Sequence, residues 1–155
     1  MRLYRIVIRQ YADLEGEGGI YSPGRWHHEG QRVVYLSENI SLAAWEKLMN
    51  LASTAFLPSN LVLMEVSVPD VKTVEVPEKV LIKGWNQFPY LNATMEYGTK
   101  FLTENKHLLL KVPSAVIQAE YNYLLNPRHP LISGCRIENI SPFTFDSRIA
   151  KKGLQ

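Results

Sequence analysis

One cysteine, Cys135, in 155 residues excludes a disulfide within the chain and any zinc site built from several thiolates. A lone thiol fits a reducing compartment, so the expected location is the cytoplasm. Charge of either sign is scarce in excess: 17 basic and 15 acidic side chains leave a net +2, too little to mark a nucleic-acid-binding surface. No basic segment followed by an apolar run opens the sequence, and no apolar run is long enough to cross a bilayer. Neither a secretory signal nor a membrane span is therefore expected. The histidines His27, His28, His107 and His129 include no H-x-x-x-H pair. Adjacent ones on a strand would point to opposite faces and could not share an ion, so no metal is expected. The glycines in residues 13–24 (DLEGEGGIYSPG) miss the dinucleotide fingerprint, because Tyr21 stands where the third glycine would fall, and no Walker-type lysine follows. Ser114 follows a proline and lacks the G-x-S-x-G turn of a serine hydrolase.

What is present is ordinary globular material, 46% hydrophobic and 21% charged, long enough for one domain with its own core. That domain is expected over residues 1–147, followed by a basic tail at 148–155 that frays. Leu3, Ile6 and Ile8 interleaved with Arg2, Arg5 and Arg9 predict a first strand. Arg5 is then solvated, buried and paired, or aimed into a pocket. Residues 13–24 predict an irregular loop, and residues 33–37 (VVYLS) a second strand. Asn39 or Ser41 can cap a following helix. In it Leu42, Trp45, Met49, Ala52 and Phe56 recur at helical steps, a stripe expected to face the core with Glu46 at its edge.

Residues 61–68 and 71–76 predict two strands about a Pro69-Asp70 turn, and residues 77–90 an ordered loop. Residues 92–104 predict a helix with Met95, Phe101 and Leu102 inward and Gly98 as a weak point. Residues 107–112 and 115–119 predict strands flanking a kink at Pro113-Ser114. A last strand is expected around residues 137–145, after turns at Asn126-Pro127 and His129-Pro130. Helices are few and do not alternate with strands, which argues for α+β: a single compact domain on a bent, mostly antiparallel sheet.

Arg25, Tyr35, Glu46 and Ser114 supply an arginine fork for phosphate oxygens, an aromatic ring, a carboxylate and a hydroxyl. That set suits cleavage of an N-glycosidic bond whose leaving group is already cationic, as in NAD. There the barrier is positive charge on the ribose, which a carboxylate stabilises. These residue types are common, and composition alone does not single out this reading.

The runs YRI, GRWHHEG, VVYLS, AAWEKL, LKVPSAV and NYLLNPRHP, in this order from about Tyr4 to Ile137, resemble the RES-domain family. The resemblance implies a fold like that of ADP-ribosyltransferases and a toxin of a bacterial toxin–antitoxin pair that consumes NAD by phosphorolysis or hydrolysis, with inorganic phosphate as a possible co-substrate. It also implies an antitoxin carrying an Xre-like helix-turn-helix region, and a toxin dimer within the complex. Carried over by position, Arg25, Tyr35, Glu46 and Ser114 form the site, and Arg5 joins Arg25, Tyr35 and Ser114 in contacting NAD. In these roles the arginines hold pyrophosphate or incoming phosphate, Tyr35 packs the nicotinamide, Glu46 stabilises the ribosyl cation and Ser114 positions the substrate. His27 and His28 replace the asparagine-containing turn common in the family, and Asn126 and His129 read as loop architecture. Transfer of ADP-ribose to a protein is the alternative activity, and a non-catalytic interaction or nucleic-acid-binding protein the reading from another class.

Overall fold

In the computed structural model, which describes residues 1–149, the chain runs β1 (Arg2–Ile8), α1 (Gly18–Tyr21), β2 (Val34–Ser37), α2 (Ile40–Met49), β3 (Leu61–Ser67) and β4 (Val74–Glu75). It continues through α3 (Asn92–Glu104), β5 (Leu109–Pro113), β6 (Tyr121–Leu125) and β7 (Arg136–Pro142), with three short 3-10 turns between elements. The strands make one seven-stranded sheet in the order β4-β5-β6-β2-β1-β3-β7. Every neighbouring pair is antiparallel except β4 with β5. The α+β, mostly antiparallel arrangement is the expected one.

Alternation along the strands sorts side chains to two faces. On one face Leu3, Val34, Leu36, Met64, Val66 and Leu125 make the larger buried cluster. On the other, Leu110, Val112 and Leu124 receive Phe101 and Leu102 of α3, with Trp26 and Val33. Helix α2 packs its Ala43 against Ile6 and Leu61.

One seam in this sheet matters for the site. β1 pairs with β3 at seven consecutive positions but with β2 only at Tyr4 opposite Ser37. Beyond that single pair the two strands part, and the gap admits side chains from both.

Asn39 caps α2 by accepting the amide of Leu42 at 2.8 Å, a contact worth about 1 kcal/mol. The helix ends at Met49, where Asn50 returns its amide and its side-chain nitrogen to the Glu46 carbonyl. The expected apolar stripe is therefore corrected. Leu42, Ala43 and Leu48 face the core, while Trp45 is 44%, Met49 58% and Phe56 87% exposed. Helical spacing marks a stripe but not what it faces: Trp45 and Met49 border a cleft, and Ala52 and Phe56 lie beyond the end of the helix.

Residues 115–119 do not form the expected strand. The Ser114 hydroxyl accepts the amides of Val116 and Ile117 at 3.0 and 2.9 Å, and the Ser114 amide donates to the Glu120 carbonyl. A side-chain oxygen that captures two amides competes with ladder pairing, so the segment folds into a tight turn between β5 and β6. Gly98 is not a weak point either. A Cβ there would stand 1.8 Å from the Trp26 carbonyl oxygen, so the missing side chain is what lets α3 lie against the loop of residues 24–28. Within residues 13–24 the short helix α1 interrupts the irregular loop. The tail from residue 150 on lies outside the described residues.

Candidate active site

The parted strands open into a cleft of about 890 Å³ lined by residues of β1, α1, the loop of residues 22–27, β2, α2, residues 86–90 and the β5–β6 turn. Its volume lies in the range of small-molecule sites. Arg5, Arg25, Tyr35 and Glu46 all line it. Ser114 does not: it is fully buried and reaches the cleft only through the hydrogen bond of its hydroxyl to Glu46.

Arg25 sits at the tip of a tight turn closed by two backbone hydrogen bonds between Gly24 and His27, at 3.0 and 3.3 Å. Gly24 is required there, because a Cβ would come within 2.9 Å of the Tyr35 hydroxyl and closer still to the His27 ring. One guanidinium nitrogen of Arg25 donates to the carbonyls of Trp85 and Gln87 at 2.7 and 2.8 Å, and its carbon lies 4.9 Å from the centre of the Tyr90 ring. The rest of the fork is free of described hydrogen bonds. Burial pulls this guanidinium below its usual range, an effect opposed by Tyr90, Glu46 and Tyr35.

Tyr35 and His27 are coupled. Nε2 of His27 lies 3.1 Å from the Ser22 carbonyl and Nδ1 lies 2.8 Å from the Tyr35 hydroxyl. A carbonyl only accepts, so Nε2 carries the proton, and the Tyr35 hydroxyl donates to Nδ1. The phenol oxygen accepts the Trp26 amide at 3.3 Å in return. Burial raises the Tyr35 phenol far above its ordinary range, and burial also lowers His27. Both groups are neutral near pH 7 and fix the wall from which Arg25 projects. His28 is outside this pair and docks the loop on α3, its amide donating to the Thr99 hydroxyl at 2.9 Å.

Glu46 reaches the cleft from α2. Its Oε1 accepts the Ser114 hydroxyl at 2.7 Å and the side-chain amide of Asn122, while no described hydrogen bond reaches Oε2. Lys47 lines the same cleft, and it was not singled out in the sequence. Burial lowers its pKa and Arg5 lowers it further; burial lowers Arg5 too, opposed by Asp13. None of Arg5, Arg25 and Lys47 makes an ion pair among the described residues. The cleft thus holds three cations outside any ion pair and one carboxylate, a formal lining charge of +2. Ser37, Lys47 and Asn122 lie inside the runs VVYLS, AAWEKL and NYLLNPRHP that carry the resemblance, yet no role in the site follows for them from it, and Tyr90 lies in a loop outside those runs.

Asn126 and His129 lie away from the cleft. Asn126 donates to the Leu102 carbonyl and to Asn105 at 3.0 Å each, and His129 caps the 3-10 turn at Leu131. They are loop architecture, as expected. Among the described residues no group of three or more His, Cys, Asp or Glu side chains is gathered as metal ligands, and no helix is long and apolar enough to cross a membrane.

The fold and the site together define the class: an α+β sheet that splits to open a cleft with a net positive lining, aromatic walls and one anchored carboxylate. The sequence model of the RES domain matches residues 2–146, and the chain belongs to that family. It is 39% identical to a Pseudomonas putida protein named Toxin Res, over 96% of this chain and 99% of that protein. It is also 32% identical to the Prs ADP-ribosylating toxin of a Sphingobium species, over 90% of this chain and 88% of that protein. The fold is similar to a chain in the crystal structure of the M. tuberculosis MbcT–MbcA toxin–antitoxin complex. The TM-score is 0.68 at 14% identity, covering 92% of this chain and 84% of that one, so the two share a fold.

Proposed function

We propose that this chain is the toxin of a toxin–antitoxin pair and that it depletes NAD by breaking the bond between nicotinamide and ribose. The observation that carries the reading is the charge of the cleft: Arg5, Arg25 and Lys47 make no ion pair among the described residues and share the lining with a single carboxylate. Partly buried cations are costly unless something pairs with them, and a diphosphate supplies two negative charges to a lining of +2. The free N–H groups of Arg25 grip phosphate oxygens, and Tyr35 offers a ring wall to the nicotinamide.

The nicotinamide nitrogen is already cationic in NAD, so its departure needs no proton. The pair of electrons in the C–N bond leaves with neutral nicotinamide, and positive charge grows on the ribose anomeric carbon. Oε2 of Glu46 faces that charge or accepts a ribose hydroxyl, which is electrostatic stabilisation of the transition state. Water, losing a proton to solvent, or inorganic phosphate then adds to the anomeric carbon, giving ADP-ribose or its 1-phosphate.

The names of the relatives support the toxin reading, and the solved complex supports an antitoxin partner. An antitoxin with a helix-turn-helix region is the partner we infer. Purified chain incubated with NAD should release nicotinamide, with the phosphate dependence of the rate separating phosphorolysis from hydrolysis. Equal release by wild type and by Glu46→Ala and Arg25→Ala variants would overturn the proposal. The name of the Sphingobium relative favours a second reading, transfer of ADP-ribose to a protein. Label from NAD retained on macromolecule supports transfer, and label in small soluble products supports degradation.

A further inference from the structure

We propose that Asn122 is the residue that positions Glu46 for the reaction, and that Ser37 in turn anchors the Asn122 amide from its other end. The inference rests on the reading of Glu46 given above and adds two residues to it.

Ser37 and Asn122 are register partners across β2 and β6. Their side chains share a face, and the Ser37 hydroxyl donates to Oδ1 of Asn122 at 2.7 Å in a buried contact. The other end of the amide, Nδ2, donates to Oε1 of Glu46, where the Ser114 hydroxyl also donates. The chain of donors has one workable direction. Turning the amide over would set Oδ1 against the carboxylate, with acceptor facing acceptor, and would leave Nδ2 facing the hydroxyl. The carboxylate sets that direction, since a hydroxyl accepts as readily as it donates, and the bond from Ser37 anchors the Oδ1 end of the amide.

The geometry has a consequence for the acid. The last torsion of a glutamate is broad, with no steep preference for one rotation of the carboxylate. A single donor would leave that rotation free. Two donors arriving at the same oxygen from different elements, one on the central sheet and one on the β5–β6 turn, stop it with Oε1 turned inward. Oε2 is left as the oxygen presented to the cleft. Small errors of placement at a reacting centre are costly in rate. Asn122 and Ser37 are thus positioning residues that act through Glu46.

The test is steady-state NAD turnover by the full chain, in a cycle of Glu46→Ala, Asn122→Ala and the double variant. Asn122→Ala should lower kcat on the order of 10- to 100-fold while KM moves less than about 3-fold, because the loss falls on the transition state. Ser37→Ala should lower kcat less, about 3- to 10-fold, since its effect is one bond removed. In the Glu46→Ala background Asn122→Ala should add nothing, because the group it positions is gone. An undiminished kcat in Asn122→Ala, or a loss that carries over in full to the Glu46→Ala background as a mere staple of β2 to β6 would give, overturns the inference. Full activity of Glu46→Ala sinks the reading of the site and this inference together. An inactive Glu46→Ala beside an unimpaired Asn122→Ala sinks this inference alone. Should Asn122→Ala not fold, Asn122→Asp keeps the shape and replaces the donor by a second carboxylate. Its kcat should fall and recover in part on acidification, as the two carboxylates come to share a proton, and a wild-type pH profile would overturn the inference.

Discussion

Ser114 and Glu46 lie 68 residues apart in sequence and are joined by a 2.7 Å hydrogen bond from the serine hydroxyl to Oε1. The same hydroxyl accepts two backbone amides of the β5–β6 turn. One oxygen therefore shapes a turn and restrains the acid, from a position outside the cleft lining. Ser114→Ala should orphan those amides and destabilise the fold by about 1–3 kcal/mol. That is roughly 2–10 °C in melting temperature for a chain of this size. NAD turnover should fall with little change in KM. A variant with unchanged melting temperature would refute the structural half of this account, and a large rise in KM would mean that Ser114 touches substrate.

Arg25 is tied at one nitrogen to the carbonyls of Trp85 and Gln87 and free at the rest of its fork. Arg25→Lys keeps a charge but loses the planar fork, so it should hold the loop of residues 85–90 and bind NAD worse, by about 10-fold in KM. Arg25→Ala should in addition loosen that loop, seen as faster proteolytic cutting near residues 85–90. Lysine performing as well as arginine in KM would count against phosphate recognition by the fork.

His27 titrates in a direction that links the site to acid. Burial holds its pKa below 6.5, with the backbone bond to Ser22 opposing. The folded protein therefore takes up this proton less readily than the unfolded chain. Stability from the neutral ring is complete above about pH 6.5 and is lost progressively as pH falls from there toward the lowered folded value. Melting temperature should drop between about pH 7 and about pH 5 in wild type, and less steeply in His27→Gln. Parallel slopes in the two proteins would show that His27 is not the titrating group.

Gly98 has the backbone of Trp26 where its Cβ would be. Gly98→Ala gains helix propensity of about 1 kcal/mol on an exposed helix, but here the methyl must push α3 off the loop that carries Arg25. The clash is with backbone, so we expect a net loss of about 3 kcal/mol, with Arg25 displaced and KM for NAD raised. A melting temperature above wild type would show that α3 can shift without cost.

The sequence made the frame legible where physics is local. β1 and α3 follow from alternation and helical periodicity, and the Asn39 cap from a residue type with one strong preference. The family resemblance brought Arg5, Arg25, Tyr35 and Glu46 to notice, and these four do line one cleft. Residues 115–119 were misread because β-branched and apolar residues resemble a strand, while a single hydroxyl decides otherwise. The stripe of Trp45 and Met49 was misread because periodicity records that one side of a helix is apolar, not whether protein or a cavity lies beside it. Lys47 and Asn122 lie inside the runs AAWEKL and NYLLNPRHP, yet nothing in those runs directs either side chain to a cleft. Their place in the cleft depends on the parting of β1 from β2, a property of pairings between distant segments.

That parting gives the protein a built-in zip. One registered backbone pair, Tyr4 with Ser37, joins the β4-β5-β6-β2 half of the sheet to the β1-β3-β7 half; the core of Leu3, Val34, Leu36, Met64 and Leu125 spans the seam, so it is the backbone ladder that is thinnest where its guest would lie. A dinucleotide spanning Arg25 on one side and Arg5 on the other would stitch the halves together. Occupancy should then register as slowed amide exchange along β1 and β2, far beyond the atoms the guest touches.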